Sequence, residues 1–362
     1  MWDASLMTAG FYGGTLPHAR GEVEGDGDEV ISPDLKAAKT PVLLRSPAVA
    51  LALAALLWSG NFVAGRALRG HVDPVTLNFL RWLVALALIA PFVGQSTAAS
   101  LQVLRREWRL ILALAATGIA SFHTLVYLAL QSTTATNALL MLSLAPILTL
   151  LGSAAAGMEH PTSRQITGAL ISIIGAGVLI TRGSLNGTLS QGFNAGDLWM
   201  LLAVVIWAAY SLILRRRPAD LPSSVALAAS IAAALVMMLP LLIFGAAAPV
   251  AVLASFPVLL SIGYIALFAS AIAFLLWSYG LSRLGPARAG QFIHLMPIFG
   301  AGLAFVLLGE VPTPVQIAGA LLVLSGIAVV ERRTHSEQEL AIRQAGMTIG
   351  SCGASANSRT SS

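Results

Sequence analysis

Two histidines lie in the middle of long apolar stretches of the sequence, where ionisable side chains are rare. His123 shares a helical face with Tyr127, and His294 shares one with Gln291. An imidazole in such a place can bind a solute or carry a proton, because it titrates near neutral pH. A neutral histidine bonded to the backbone of a neighbouring helix explains either residue equally well.

Arg81 is a charged side chain about two turns into another apolar stretch, where an unpaired charge is costly. Its candidate partners are acids outside the membrane, backbone carbonyls and Asn78, which lies three residues before it on the same helical face. The long side chain can also extend to the membrane surface. We therefore expect a structural or gating role for Arg81 rather than ligand binding.

Two pairs of aromatic or polar residues occupy equivalent positions in apolar stretches that lie 149 residues apart. Trp58 corresponds to Trp207, and Asn61 corresponds to Tyr210. Tryptophans of a membrane-surface belt lie at the ends of a span, whereas these two lie deeper. Flat apolar rings beside hydrogen-bonding groups are typical of a binding cavity, and we predict that these four residues line one.

Pro146 and Pro297 interrupt two further apolar stretches at equivalent places. Each proline removes a helical hydrogen bond and kinks the chain. Prolines are common in membrane helices, but matched interruptions in two halves of a chain indicate a solute-binding site. We predict that both prolines act as hinges.

Several glycines recur on one face of an apolar stretch. Residues seven apart lie two helical turns apart, and small residues let two helices approach closely. Packing between helices, or against a second copy of the chain in a homodimer, therefore explains these positions better than solute contact. The glycines are Gly168, Gly175, Gly300, Gly302, Gly319 and Gly326.

The composition decides which elements hold these residues. Of 362 residues, 57% are hydrophobic and only 10% are charged, whereas soluble domains carry about 25% charged residues. Six of the 16 acidic residues lie between positions 47 and 330, which marks that stretch as a membrane domain. Its apolar runs are continuous rather than alternating, as expected of helices and not of a β-barrel.

We predict an all-α integral membrane protein with ten transmembrane helices. Only a helix satisfies its backbone hydrogen bonds within one segment while it crosses lipid, and crossing takes about 20 apolar residues. Ten segments approach that length. They are 47–65, 75–94, 110–130, 135–157, 166–181, 198–214, 225–248, 258–281, 289–309 and 315–330.

The remaining segments are polar. Residues 1–46 form a leader with an acidic cluster, and residues 334–362 form a tail rich in serine. Both are predicted to be disordered, because neither can bury enough apolar surface. Residues 183–197 are a predicted linker. The single cysteine, Cys352, lies in the tail and can form no internal disulfide.

Lysine and arginine are unevenly distributed over the loops. If the N-terminus lies in the cytoplasm, fourteen of these residues fall on the cytoplasmic side and three on the outer side. Cytoplasmic loops carry such an excess, so both termini are predicted to be cytoplasmic. The three outer residues are Arg66, Arg69 and Arg182.

The sequence repeats itself at an offset of 151 residues. Residues 159–170 and 310–321 match at eight of twelve positions. Five segments per repeat is an odd number, so the second repeat enters the membrane from the opposite side. We predict two inverted five-helix repeats, at 47–182 and 198–333. Such repeats favour alternating access to a central site, although gene duplication also gives enzymes and scaffolds.

Several chemistries lack their residues in this sequence. No Asp or Glu falls in the middle of a span, and the sequence contains neither clustered metal ligands nor a phosphate-binding loop for ATP. The arginines are dispersed, which argues against nucleic acid as a partner. We predict no cofactor, no metal and no nucleic acid. The expected partners are a small-molecule substrate and the lipid bilayer.

Four stretches carry a resemblance to a known family. They are LLWSGNFVAGR at 56–66, TLNFLRW at 76–82, MEHPTSRQITGALISIIGAGVLI at 158–180 and LMPIFGAGLAFVLLGEVPTPVQIAGALLVLSGI at 295–327. On these motifs, residues 47–333 resemble a ten-helix, EamA-type member of the drug/metabolite transporter superfamily. The last two stretches are the most specific.

The resemblance implies export or exchange of small metabolites such as amino acids, without ATP, across a bacterial inner membrane. It also implies that helices one, three, four, six, eight and nine surround a central cavity, and that Glu159 and Glu310 cap helix starts. The predicted substrate-binding residues on those helices are Trp58, Asn61, His123, Tyr127, Asn137, Trp207, Tyr210, Gln291 and His294.

We therefore predict a secondary transporter and not an enzyme. The alternative from another class is a membrane-embedded enzyme or accessory subunit that acts on lipid-linked substrates. That protein would need catalytic acids or metal ligands at the membrane surface. A passive channel is a third alternative, and its flux would not saturate. Coupling to protons through His123 or His294 stays open.

Overall fold

A computed structural model of the chain describes residues 46–93, 98–158, 160–181, 194–218, 220–245 and 255–329. Every regular element within those ranges is helical, which confirms the predicted all-α class for the described chain. The predicted tail, the predicted leader except Ser46, and most of the predicted linker lie outside these ranges.

The helices follow one another along the chain with short connections. They are α1 (Pro47–Ala67), α2 (Pro74–Val93), α3 (Ala98–Arg106), α4 (Trp108–Leu114), the π-helical segment π1 (Ala115–Ser121), α5 (Phe122–Ala129), α6 (Ala135–Leu142), α7 (Ala145–Ala155), α8 (Ser163–Thr181), α9 (Ala195–Leu214), α10 (Ser223–Phe244), α11 (Phe256–Gly263), the π-helical segment π2 (Tyr264–Ile272), α12 (Ala273–Gln291), the 3₁₀ segment Phe292–His294, α13 (Leu295–Leu308) and α14 (Pro314–Val329).

Length and composition suit these helices to a membrane. Within the described ranges, seven helical stretches of 19 to 26 residues are long and apolar enough to cross one, and three apolar helices are shorter. Large apolar side chains such as Val236, Phe244 and Val306 are exposed. A soluble protein would bury such side chains, whereas lipid accepts them.

The described chain forms two compact units. The first contains the described residues up to Leu142 together with Asn194–Pro312, and the second contains the described parts of 143–193 and of the chain from Thr313 onwards. Each unit therefore draws on both predicted repeats. The predicted boundaries at 47–182 and 198–333 stay predictions.

Helix α1 lies at the centre of the first unit, where it packs against α12, α13 and π2. Small residues allow close packing of this kind. A Cβ atom added at Gly300 of α13 would lie 1.9 Å from Cδ1 of Leu139 on α6, so the predicted packing role of Gly300 is confirmed. The same prediction for Gly302 is wrong, because a Cβ there meets no atom within 4 Å.

In the second unit, α8 and α14 pack through the predicted glycine faces. A Cβ at Gly175 would lie 2.8 Å from the backbone nitrogen of Val323, and one at Gly326 would lie 2.4 Å from the carbonyl oxygen of Gly168. Ser172 Oγ also donates a hydrogen bond to Val323 O at 3.1 Å. The predicted helix-packing role of these glycines is confirmed.

Two π-helical segments distinguish the first unit. They begin at Ala115 and Tyr264, which lie 149 residues apart, the same offset that relates Trp58 to Trp207. A π turn bonds each N–H to the carbonyl five residues back and locally disturbs the regular ladder. Carbonyl oxygens in π1 and π2 are consequently open to side chains from neighbouring helices.

Candidate functional site

The centre of the candidate site is Arg81 on α2, which is 2% exposed. Its Nη1 donates to the hydroxyl of Tyr127 on α5 at 3.0 Å and to Oδ1 of Asn61 on α1 at 3.2 Å. Its Nε donates to Oγ of Ser270 in π2 at 2.9 Å. Four helical segments that are distant in sequence therefore converge on one guanidinium.

The partners of Arg81 are held by further hydrogen bonds. Tyr127 donates its own hydroxyl proton to Oδ1 of Asn61 at 2.8 Å, and Ser270 Oγ donates to the carbonyl of Ile265 at 3.0 Å. The predicted residues Asn61 and Tyr127 are thus brought together, and both are buried. We name Arg81, Asn61, Tyr127 and Ser270 the Arg81 cluster.

No carboxylate belongs to the Arg81 cluster. Among the described residues, none of the ion pairs involves Arg81. The guanidinium carbon instead lies 5.1 Å from the ring centroid of Trp82, a cation–π contact. A charge at the centre of a bilayer costs about 2.5–3.5 kcal/mol on insertion scales, so the protein retains this arginine at a real cost.

The predicted hydrogen bond between Asn78 and Arg81 is wrong. Asn78 Nδ2 instead lies 2.9 Å from the carbonyl oxygen of Ile119 and 3.2 Å from that of Ala120, both in π1. It also lies 3.0 Å from Oγ1 of Thr124. The irregular ladder of π1 provides these acceptors, and they hold the amide away from Arg81.

Trp58 is engaged in helix packing at the other π segment. Its indole Nε1 donates to the carbonyl of Ala269 in π2 at 3.1 Å, and its ring contacts those of Phe274 and Trp277 with centroids 5.4 and 5.2 Å away. The side chain is 8% exposed. Only a small part of the ring is therefore left to line a cavity, and that role stays a prediction.

His123 and Trp207 belong to a row of aromatic rings. His123 meets Trp82 edge-on at 5.3 Å and Phe122 at 4.8 Å, and Phe122 in turn lies 4.6 Å from Trp207. The row continues from Trp207 to Tyr210 at 5.2 Å. The structure thus brings three predicted site residues into one row, which reaches the Arg81 cluster through Trp82.

The backbone of π1 also shapes this aromatic row. His123 Nδ1 lies 3.2 Å from the carbonyl oxygen of Gly118. This is the backbone-bonded histidine of the second explanation above, with a carbonyl of its own helical stretch as partner. The ring of Tyr210 covers Gly118 so closely that a Cβ there would lie 2.4 Å from it. Glycine is therefore required at this position.

Asn137 does not belong to the Arg81 cluster. Its Nδ2 donates to Oδ1 of Asp197 at 2.6 Å, and Thr133 donates its hydroxyl to the same oxygen. Asp197 lies in the first turn of α9 and is fully buried. The amino end of a helix stabilises a negative charge, so a structural role explains this carboxylate.

The chain is interrupted beside both predicted hinges. Residues 143–144 form a turn between α6 and α7, immediately before Ala145 and Pro146. A 3₁₀ segment ending at His294 precedes Pro297, and His294 is half-buried. The side chain of Gln291 lies outside what the structure describes. The interruptions are confirmed, whereas the hinge function stays a prediction.

A buried ion pair joins three connections of the first unit. Nε of Arg66 donates to Oε1 of Glu310 at 3.1 Å, and Nη1 of Arg66 donates to the carbonyl of Leu130 at 2.7 Å. Oε2 of Glu310 accepts the backbone N–H of Ala135, the first residue of α6, at 3.0 Å. The implied helix-capping role of Glu310 is confirmed, and Glu159 lies outside the described residues.

Sequence reasoning missed Ser270 and Trp82. A serine within an apolar helix usually bonds a carbonyl of its own helix, so its presence gives no signal of a partner elsewhere. Trp82 was hidden because it follows Arg81 directly, and adjacent residues point to different faces of a helix. Its indole nitrogen is buried without a hydrogen-bond partner among the described residues.

The chemistry available to the Arg81 cluster is recognition rather than bond cleavage. It offers a cation, hydroxyls, an amide and flat rings, which can bind a small polar solute. Among the described residues, no three metal-ligating side chains lie together.

A family model matches the chain twice. The model of the EamA-like transporter family fits residues 45–181 and again residues 194–332. Together the two matches cover most of the chain. A single protein family therefore accounts for both of its halves.

Curated relatives match over nearly their whole length. A probable terminal-alkyne amino-acid exporter of Streptantibioticus cattleyicolor is 30% identical, with 79% of this chain and 93% of the relative covered. A probable amino-acid metabolite efflux pump of Salmonella typhimurium is 28% identical over 76% of this chain and 92% of the relative. An uncharacterized transporter of Archaeoglobus fulgidus is 25% identical over 79% of this chain and 97% of the relative.

A solved structure supports the fold. This crystal structure of a protein superposes with a TM-score of 0.51 at 21% sequence identity, and the match covers 78% of this chain and 96% of that chain. At this identity the similarity concerns the fold alone.

Proposed function

Because the chain belongs to the EamA-like transporter family, and is thus a multi-pass membrane transporter and not an enzyme, we propose that it is a secondary transporter of small metabolites. It exports or exchanges solutes such as amino acids without ATP. The names of two relatives, an amino-acid exporter and an amino-acid metabolite efflux pump, support this class of substrate.

The proposed mechanism is alternating access between two inverted five-helix repeats. The seven long apolar stretches and the three shorter ones support a count of ten spans. The double family match supports the repeat, and the loop charges support its inversion. The repeats rock about the chain interruptions at Pro146 and Pro297, so that a central site opens to each side in turn.

The observation that carries the proposal is the meeting of both matched stretches at Arg81. Asn61, Arg81 and Tyr127 come from the first match, and Ser270 comes from the second. A site built from both repeats can change its accessibility when the repeats move relative to each other. In our proposal the predicted substrate-binding residues surround this cluster, and Trp58 and Trp207 provide flat walls.

We place the protein in the inner membrane of a bacterium, with both termini in the cytoplasm. The excess of fourteen basic loop residues over three supports this orientation. A homodimer is part of the proposal only as an assembly in the membrane. The glycines of α8 and α14 are already used to pack these two helices, so a dimer interface would need another face.

Solute flux tests the proposed function. The purified full-length chain is reconstituted in liposomes preloaded with amino acids, sugars, nucleosides and cationic dyes, and efflux is followed by mass spectrometry with and without a pH gradient. We expect saturable efflux of amino acids. Efflux that does not saturate would favour a passive channel, and no efflux from folded protein would contradict transport.

Substitution of four predicted polar residues tests the site. His294, Gln291 and Asn61 are changed to leucine and Tyr210 to phenylalanine in one variant, while Arg106→Gln, at an exposed position, serves as the control. We expect the combined variant to lose saturable efflux and the control to retain it. Unchanged transport by the combined variant would refute the site assignment.

A further inference from the structure

The guanidinium of Arg81 is a buried cation whose protein partners are all neutral. Asn61, Tyr127 and Ser270 supply oxygen atoms to it, and the Trp82 ring lies against it. Among the described residues, none of the acidic side chains pairs with it. Arg66, the other buried arginine of this unit, has Glu310 as its counter-ion. The comparison makes the unpaired charge of Arg81 specific to its place in the site.

The hydrogen bonds leave one end of the Arg81 side chain free to bind a ligand. The guanidinium carries five N–H donors. Nε uses its single donor on Ser270, and Nη1 uses its two donors on Asn61 and Tyr127. Nη2 donates to no acceptor among the described residues, so its two N–H groups are unused.

We infer that the transported solute supplies the missing anion, as a carboxylate that accepts hydrogen bonds from Nη2 of Arg81. This inference rests on the proposed function and deepens it, because it changes Arg81 from a structural or gating residue to a substrate-binding one. The solute class is then a small molecule with a free carboxylate. An amino acid belongs to this class, whereas its amide does not.

The number and position of the unused donors favour a carboxylate over a phosphate. Two N–H groups on one nitrogen suit a single planar anion, whereas a phosphate ester carries up to two charges and three acceptor oxygens. The neutral partners also suit a site that must release its ligand. They orient the guanidinium without neutralising it, so the solute does not have to displace a competing carboxylate.

Matched pairs of solutes test the inference with the full-length protein in liposomes. The probes are L-amino acids and the corresponding L-amino-acid amides, which keep the ammonium group and the side chain but lack the carboxylate. We expect saturable efflux of amino acids at least about tenfold faster than efflux of their amides, since a site built to bind a polar group rejects analogues that lack it.

Two variants of Arg81 assign the discrimination to this residue. Arg81→Gln should lower the ratio of acid efflux to amide efflux to about one, and Arg81→Lys, which keeps the charge, should retain part of it. Arg106→Gln is the matched control and should keep the wild-type ratio, because Arg106 is exposed. A purely structural role of Arg81 would lower both rates together and leave the ratio unchanged.

The outcomes separate the two levels of the argument. Saturable efflux of acids and amides at equal rates by the wild type would overturn the carboxylate inference and leave the transporter intact. An unchanged ratio in folded Arg81→Gln protein would do the same. If that variant does not fold, competition in the wild type decides: acids but not amides should inhibit efflux. No saturable efflux of either class would overturn the proposed function itself.

Discussion

Removal of one partner from the Arg66–Glu310 ion pair should destabilise the first unit by an amount that follows from its contacts. Glu310 accepts Nε of Arg66 at 3.1 Å and the backbone N–H of Ala135 at 3.0 Å. The two side chains are 10% and 15% exposed, so water replaces little of what is lost. Arg66→Met and Glu310→Met remove the charges while keeping side chains of similar length.

Each single substitution leaves the remaining charge buried. A hydrogen bond to a charged group contributes about 1.5–3 kcal/mol, and an acceptor at a helix start contributes about 1 kcal/mol. Breaking a buried pair costs about 3–5 kcal/mol in total. Because Arg66 keeps the carbonyl of Leu130 at 2.7 Å, we expect Glu310→Met to fall at the lower end, about 3 kcal/mol.

The double variant separates the pair from its surroundings. With both charges removed, no uncompensated charge stays buried, so the loss should be about 2 kcal/mol smaller than the sum of the two single losses. The measurement is equilibrium unfolding of the purified chain in mixed micelles with increasing dodecyl sulfate, followed by tryptophan fluorescence. The exposed Arg106, which pairs with Glu107 and Asp220, provides the control Arg106→Met, expected to unfold like the wild type.

Additive losses would refute this reasoning. If the two single effects sum to the double effect within about 0.5 kcal/mol, the ion pair does not couple the two residues. The carboxylate would then act through the N–H of Ala135 alone, and the charge of Arg66 would be balanced elsewhere.

Three further predictions use the same unfolding measurement. Gly300→Val should destabilise the protein by about 1–3 kcal/mol through overpacking against Leu139, whereas Gly302→Val, where a Cβ meets open space, should not; equal effects would contradict this packing. Trp58→Phe removes the N–H that bonds a π2 carbonyl and should cost about 1–3 kcal/mol, with wild-type stability as the contrary result. Asn78→Leu deprives two π1 carbonyls of their donor and should cost about 1–3 kcal/mol; the same loss from Asn78→Asp would weigh against simple loss of a donor, because the carboxylate adds a buried charge.

Polar residues in apolar stretches were the part of the site that could be predicted. Asn61, Arg81 and Tyr127 stand out because a polar side chain in a membrane helix needs a partner. The structure joins all three in one cluster. The partner of each residue could not be predicted, because hydrogen bonds between helices depend on how those helices rotate and approach one another.

Other parts of the site left no trace in the sequence. The π segments contain ordinary small and apolar residues, and a π turn differs from an α turn only in which carbonyl accepts each N–H. The wrong pairing of Asn78 with Arg81 has this origin. A helical wheel places the two side chains on one face, but the carbonyls of π1 offer Asn78 better acceptors.

The sequence by itself determined the elements and their chemical character. Apolar length specifies helices, because lipid offers no hydrogen bonds to the backbone. Glycines seven residues apart specify a close-packing face, as at Gly175 and Gly168. The tertiary structure decided how the buried charges are balanced. Arg66 meets a carboxylate while Arg81 meets neutral oxygens, and only the packing of helices distant in the chain determines which oxygens each guanidinium can reach.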